Sequence, residues 1–399
     1  KLIKMKKKLT ILLSAFSLCL LSQTMTLSKN YVMSFHSCLS ASCGLGPSVH
    51  SVQLAESNDG LTWSAIPGYV SYPGSVPDVI MRSNYLYIYT PGKVRRYNAT
   101  TSAWDAIPVN VSIVDQSSVN VSYVDPSGYV DQNGLINLFF LNSGGITGDP
   151  AICSPTPCVR TFDSAIEVAG SNGTQFIKQP GSRLTLTVSG SNAPTDPDIF
   201  YDGTNYFLYV TEGLLTKCFK STTLHGGYAA LATLPLGNIL TPSIGIPCGM
   251  YVSSSAKYFS YGHAAISGGI EIKGATHTSF ASQPTYTTLI TGASIGLGSQ
   301  YSVASPGICN NTFLTLGLKN NVIEKNNVTI FPNPSKDRFE IHSDKLIKDI
   351  LITNALGQLV YFENILSTKK TVVPNLEKGV YFLKVIFETG LETKRIVIE

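Results

Sequence analysis

One phrase recurs five times along the middle of this chain, and it limits the possible folds more than any other feature. It reads "SVPDVIMRSNYLYIY" at 75–89, "YVDPSGYVDQNGLINLFF" at 123–140 and "TDPDIFYDGTNYFLYV" at 195–210. Two further copies follow, "IGIPCGMYVSSSAKYFSYG" at 244–262 and "SVASPGICNNTFLTLGL" at 302–318. Each holds a proline, a short apolar strand, a polar or glycine-containing turn and a second alternating strand. The prolines are Pro77, Pro126, Pro197, Pro247 and Pro306, at intervals of 49, 71, 50 and 59 residues. That spacing fits one four-stranded sheet per copy with loops of variable length. Five copies predict a five-bladed β-propeller within an all-β chain. In "NYLYIY", "INLFF" and "NYFLYV" apolar side chains occupy both faces, as strands between neighbouring blades require. Helical periodicity is nearly absent between residues 45 and 320. A β-sandwich is the competing architecture, but it gives no reason for one phrase to appear five times.

The ends of the repeat say how the ring closes. "LAESNDGLTWSAI" at 54–66 echoes "EVAGSNGTQF" at 167–176, and both read as the outer hairpin of a blade. The first echo precedes the first proline phrase, while little chain follows the fifth. The N-terminal strand is therefore expected to complete the fifth blade, which removes a free sheet edge. Ser57–Trp63 resembles the Asp-box turn of sialidase-type propellers, one residue short of its usual spacing. That resemblance implies a structural role for Asp59.

Charge separates the chain into three parts. Residues 1–29 carry +6, residues 30–319 carry −3 and residues 320–399 carry +1. The basic excess thus belongs to the N-terminal segment, and the body offers no basic footprint for nucleic acid. From Met5 that segment reads "MKKKLTILLSAFSLCLLSQT", lysines followed by an apolar run and then polar residues. It reads as a secretory signal peptide over 1–24, because the run is shorter than the ~20 residues that cross a bilayer. No transmembrane segment is expected in the mature chain. Cys38 with Cys43, and Cys153 with Cys158, are close pairs that an oxidising exterior can join; buried thiols are the equal alternative. Cys218, Cys248 and Cys309 have no obvious partners, and no Cys or His spacing matches a zinc site.

From about residue 325 the texture becomes rich in Lys and Glu. "VTIFPNPSKDRFEI" (328–341), "DILITNALGQLVY" (349–361) and "LEKGVYFLKVIFETGLETKRIVIE" (376–399) read as a small antiparallel β-sandwich. Pro332-Asn333-Pro334, Gly357, Gly379-Val380-Tyr381 and the closing strand resemble the type A C-terminal sorting domain of the type IX secretion system of Bacteroidota. Phe331, Asp337 and the terminal Glu399 depart slightly from that pattern. The resemblance implies the type IX machinery as a partner and a secreted or outer-membrane-surface location. The expected organisation is a signal peptide over 1–24, a propeller over 45–322 and a sorting domain over 325–399.

The aspartates carry the functional question. In a propeller the innermost strands line an axial channel that opens into a funnel. Asp78, Asp125, Asp196 and Asp198 start three such strands and are expected to converge there. Clustered carboxylates raise one another's pKa and can separate into acid and base. Residues 75–318 resemble the five-bladed propeller glycosidases, the arabinanase and β-xylosidase group and its fructan-cleaving relatives. The resemblance implies Asp78 as general base and Asp125 as the group that orients the acid and tunes its pKa. The acid itself, a Glu in that family, falls on Asp196 or Asp198, one methylene shorter. Glu212 is a possible substitute, but its strand position looks wrong for the funnel.

Aspartates before proline or at strand starts also cap turns, and Asp131 and Asp202 are expected to do nothing else. Tyr69, Tyr72, Tyr85 and Tyr301 are candidates to stack on sugar rings from the funnel loops, and His263 is a weaker candidate for the funnel wall. The partner implied is a polysaccharide, either cleaved, as an arabinose-, xylose- or fructose-containing glycan, or bound without cleavage by a surface lectin or adhesin. A sialidase is disfavoured because Arg82, Arg95, Arg96, Arg160 and Arg183 are dispersed. No phosphate-binding loop, nucleophile elbow or zinc signature is present, so no elaborate cofactor is expected.

Overall fold

The computed structural model describes residues 24–316, 328–355, 358–373, 375–387 and 390–399. The expected signal peptide lies outside the described residues as far as residue 23, as does Gly357 of the tail motif. The chain divides into two compact units, one up to residue 317 and one from 318 onward.

The first unit is a ring of five sheets, antiparallel but for Ser112–Val114, which pairs parallel with Gln175–Lys178. The inner strands of the first four blades are Asp78–Arg82, Tyr123–Val130, Pro194–Tyr201 and Gly245–Val252. Each pairs with the next strand in sequence and begins a meander that runs outward. The fifth blade is composite. Its inner strand, Tyr301–Asn310, pairs with Tyr31–Leu39, which continues into Ser51–Ser57 and the short outer strands. The ring therefore closes through backbone hydrogen bonds between the two ends of the unit. The closing segment begins at Tyr31, ahead of residue 45, because an inner strand without flanking strands of its own must borrow them. Each inner strand packs against its neighbour around the axis, and Tyr301–Asn310 returns to Asp78–Arg82.

Two-sided burial explains the strand chemistry. Ile80, Tyr87 and Tyr89 of the first blade meet Ile136, Leu138 and Phe140 of the second. Phe139, Leu141 and Phe162 use the other face of the second blade to meet Ile199, Leu208 and Val210. A strand with neighbours on both faces has no side for polar alternation. Each fully buried aromatic or aliphatic side chain contributes about 1.5–3 kcal/mol.

The second unit is a single five-stranded antiparallel assembly around two long strands, Phe339–Thr353 and Leu359–Val372. Its core holds Phe339, Ile341, Ile350, Ile352, Leu383 and Val385. The Pro-Asn-Pro motif has a clear local function. Asn333 Nδ2 donates to Arg395 O (2.8 Å), and Val397 N–H donates to Asn333 Oδ1 (2.9 Å). One side-chain amide thus replaces a ladder step beside the closing strand Gly390–Ile398. Among the described residues, no helix is long and apolar enough to cross a membrane.

Candidate functional site

Proline has no N–H, so it cannot sit inside a ladder, and the inner strands bulge around it. Pairing skips two residues between Val124 and Ser127, between Thr195 and Asp198, and between Gly245 and Cys248. The residue before each proline has a positive φ: Val76 (44°), Asp125 (52°), Asp196 (51°), Ile246 (45°) and Ser305 (57°). A non-glycine residue rarely adopts that region, and the position before proline resists it further. Five strained residues at one level mark a place that the surrounding sheets over-determine.

They form a collar. Above it opens a funnel of about 710 Å³, and below it lies an axial chamber of about 30 Å³ ringed by the five prolines. All five collar residues line both spaces.

The bulge parts the four aspartates into two pairs. In an unbroken strand Asp196 and Asp198 would share a face. Across the bulge, Asp196 lies in the collar with Asp125, while Asp198 lies below it with Asp78. The lower pair joins blade to blade. Gly128 N–H donates to Asp78 Oδ2 (2.6 Å), Ile199 N–H donates to Ser127 Oγ (3.2 Å) and Gly249 N–H donates to Asp198 Oδ2 (2.7 Å). Ser127 Oγ also donates to Asp198 Oδ1 (3.3 Å). Glycine occupies the matching place in the fifth blade, where a Cβ on Gly307 would come within 2.4 Å of Asp78 Oδ1. Asp78 and Asp198 are 8% and 6% exposed, so they meet the axial chamber and not the funnel. The collar counterpart of Asp125 and Asp196 in the first blade is Val76. The general-base role implied for Asp78 therefore has no carboxylate at the funnel floor.

The upper pair is close. Asp196 N–H lies 3.4 Å from Asp125 Oδ2, and Thr195 Oγ1 donates to Asp196 Oδ2 (2.5 Å). Burial raises both carboxyls, Asp196 to about 6 and Asp125 well above its ordinary value, with the Asp196 and Asp149 charges adding to the rise at Asp125. Below the collar, burial likewise lifts Asp78 to about 7 and Asp198 well above the usual range, Asp198 further through the Asp78 charge.

The funnel wall brings in residues that have no signature in the sequence. His36 and His50 stack with ring centroids 4.1 Å apart. Burial holds His36 down at about 3 and His263 at about 4, and lowers His50. All three are neutral at pH 7. His36, Cys38 and His50 bring donor atoms within 4.8 Å of one another, a metal-like spacing. However, Cys38 is bonded to Cys43, His36 Nδ1 receives Val76 N–H (3.3 Å), and His50 Nδ1 pairs with Ser75 Oγ (2.7 Å). These donors are already committed to building the wall. Both close cysteine pairs are disulfides: Cys38 and Cys43 themselves line the funnel, whereas Cys153–Cys158 closes a loop just beyond the lining residues Asp149, Pro150 and Ala151. Cys218, Cys248 and Cys309 are free and buried.

Other expected residues fall elsewhere. No Tyr, Trp or Phe lines the funnel among the described residues, so the stacking platform expected from Tyr69, Tyr72, Tyr85 and Tyr301 is absent from it. Tyr69 OH bonds Val52 O, Tyr72 is buried in the core beside Arg95, Tyr85 OH accepts from Asn98, and Tyr301 borders a separate cavity. These rings pack within and between blades. Glu212 pairs with Lys217 (2.5 Å), outside the funnel lining. Asp131 and Asp202 accept N–H groups of their own turns. So does Asp59: burial works upward there, but bonds from Thr62, Leu61 and Ser57 outweigh it and hold the carboxyl at about 2. Arg82 and Arg96 pair with Glu167 and Asp105, and Arg160 serves backbone carbonyls.

No curated protein matches the chain. Solved structures similar to it include an endo-1,4-β-xylanase of Bacteroides thetaiotaomicron, 12% identical with a TM-score of 0.42, covering 72% of this chain and 96% of that one. A mutant α-L-arabinanase of Cellvibrio cellulosa is 13% identical with a TM-score of 0.40, over 67% and 94% of the two chains. An endo-1,5-α-L-arabinanase of Thermotoga petrophila is 11% identical with a TM-score of 0.39, over 81% and 91%. The blade count rests on the sheet order given above. Residues 329–399 match the family model described as the secretion system C-terminal sorting domain. Behind its five-bladed propeller, the chain thus ends in a type IX sorting domain, the mark of a protein bound for the cell surface or the exterior.

Proposed function

We propose that the propeller is a glycan-binding module, carried out of the cell by an N-terminal signal peptide and the sorting tail, and that the funnel is its site. One observation carries the preference for binding over cleavage. The funnel floor has carboxylates on two adjacent blades, Asp125 and Asp196, and Val76, Ile246 and Ser305 on the other three. Hydrolysis by two carboxyl groups needs them on either side of the scissile bond, roughly 5 to 10 Å apart. The two acids here sit side by side, the backbone N–H of one against the carboxylate of the other. Paired carboxylates at the base of a concave pocket suit sugar hydroxyls, which donate to them and are oriented by them.

The test incubates the mature protein with arabinan, xylan, fructan and sialoglycan panels, reading binding by pull-down and released sugar by chromatography. Binding without release, lost in Asp125→Asn and Asp196→Asn, is the expected result. The upward-shifted carboxyls support one competing reading, because such groups still hold a proton near neutral pH and can donate it. Sugar release that disappears in Asp196→Asn would establish that glycosidase instead.

A further inference from the structure

The funnel floor holds polar atoms that nothing in the protein satisfies. Ser305 is 2% exposed, yet its Oγ has no hydrogen-bond partner, and it stands in the collar with Asp125 and Asp196. His263 Nδ1, on the funnel wall, is likewise buried and unpartnered. Buried polar atoms are nearly always paired, so an orphan facing a cavity points to a group that arrives with a ligand.

The surrounding charge says which kind of group. Three carboxylates line the funnel, Asp125, Asp149 and Asp196, against one ammonium, Lys93, which already donates to Asn110 Oδ1 (2.6 Å). The three histidines add no positive charge at pH 7. Two carboxyls this close, both only half-buried, repel each other once ionised, and a cation supplied by the ligand relieves that repulsion. Size agrees: the chamber under the collar, about 30 Å³, admits one group the size of a water or an ammonium and no sugar ring.

We propose that the collar is an ammonium seat, and that the glycan recognised by the funnel carries a free amine, as a de-N-acetylated amino sugar does. The amine donates to Asp125, Asp196 and Ser305 Oγ, while the ring and its hydroxyls remain in the funnel above. The inference rests on the glycan-binding reading and narrows it to a cationic sugar. An N-acetyl group in the same place has no charge to give.

The test is isothermal titration of the mature full-length protein with three β-1,4-linked oligomers of equal length, of glucosamine, N-acetylglucosamine and glucose. Hexylamine serves as an amine without a sugar. Preference for the glucosamine oligomer by about tenfold or more is expected, the size of one charged hydrogen-bond set. Asp125→Asn and Asp196→Asn should each abolish that preference with the thermal melt unchanged. Should either variant fail to fold, Ser305→Ala, which keeps both carboxylates, should reduce the preference several-fold. Equal binding of all three oligomers would overturn the amine inference and leave the glycan reading standing. Binding of hexylamine with no oligomer bound would retire the glycan reading and keep the ammonium seat. A preference that survives all three substitutions would mean that surface charge, not the collar, reads the amine.

Discussion

At the residue scale, the clearest division of labour is between residues two apart on the same strand. Asp196 meets the funnel and Asp198 holds Gly249 of the next blade. Asp78 does for the first two blades what Asp198 does for the third and fourth. Both lower acids have folded-state pKa values raised by burial, so the sign of their linkage is fixed. The unfolded carboxyl ionises near pH 4 while the folded one keeps its proton until about pH 7 at Asp78. Their contribution to stability is complete below the unfolded pKa and is lost as pH rises through the folded one. Asp78→Asn should therefore fold and flatten the fall in stability between about pH 4 and pH 7, as read by denaturant unfolding across pH. Asp78→Val should be about 1–3 kcal/mol less stable than Asp78→Asn at every pH, since it leaves the Gly128 N–H without an acceptor. A steep pH dependence surviving in Asp78→Asn would move the effect to other groups.

At the scale of elements, the fifth blade depends most on distant parts of the chain. Strand Tyr31–Leu39 lies between Tyr301–Asn310 and Ser51–Ser57, so its loss would leave two open sheet edges. Phe35 within it is fully buried and packs in one cluster with Cys248, Tyr261 and Ile272 of the fourth blade. Phe35→Ala should lower the stability of the propeller by about 3–5 kcal/mol. Limited proteolysis of that variant should cut first in the closing blade; a first cut elsewhere would mean that the ring opens at another seam. The disulfide-tied loops are the second such element. Reduction of the disulfides should weaken funnel binding while the β-sheet circular dichroism signal persists, because Cys38–Cys43 holds a funnel-lining loop and both bonds span only five residues of sequence.

At the scale of the whole molecule, the sorting domain and the funnel reside in separate units. The sorting unit has its own hydrophobic core, and the propeller completes its own ring. Removing residues 329–399 should leave glycan binding intact in the purified propeller and should stop the protein short of the cell surface. Fractionation checks the second point, and surface display of the truncated protein would contradict it.

Much of this was legible in one dimension. Five copies of a proline phrase determined the blade count, because a repeated supersecondary unit writes its period into the chain. Pro332-Asn333-Pro334 and Gly379-Val380-Tyr381 marked the tail because a short motif with local hydrogen bonds is visible locally. The partition of the aspartates was not legible. Strand periodicity puts Asp196 and Asp198 on one face, and only the bulge that Pro197 imposes against its partner strand separates them. His36 and His50 likewise have no sequence signal, since they reach the funnel from segments outside the proline phrases. The sequence by itself determined the kinds of unit and their order, which depend on local patterns. Which carboxylate faces the funnel and which binds the next blade was decided by tertiary structure, because that depends on where neighbouring backbones place their unpaired N–H groups.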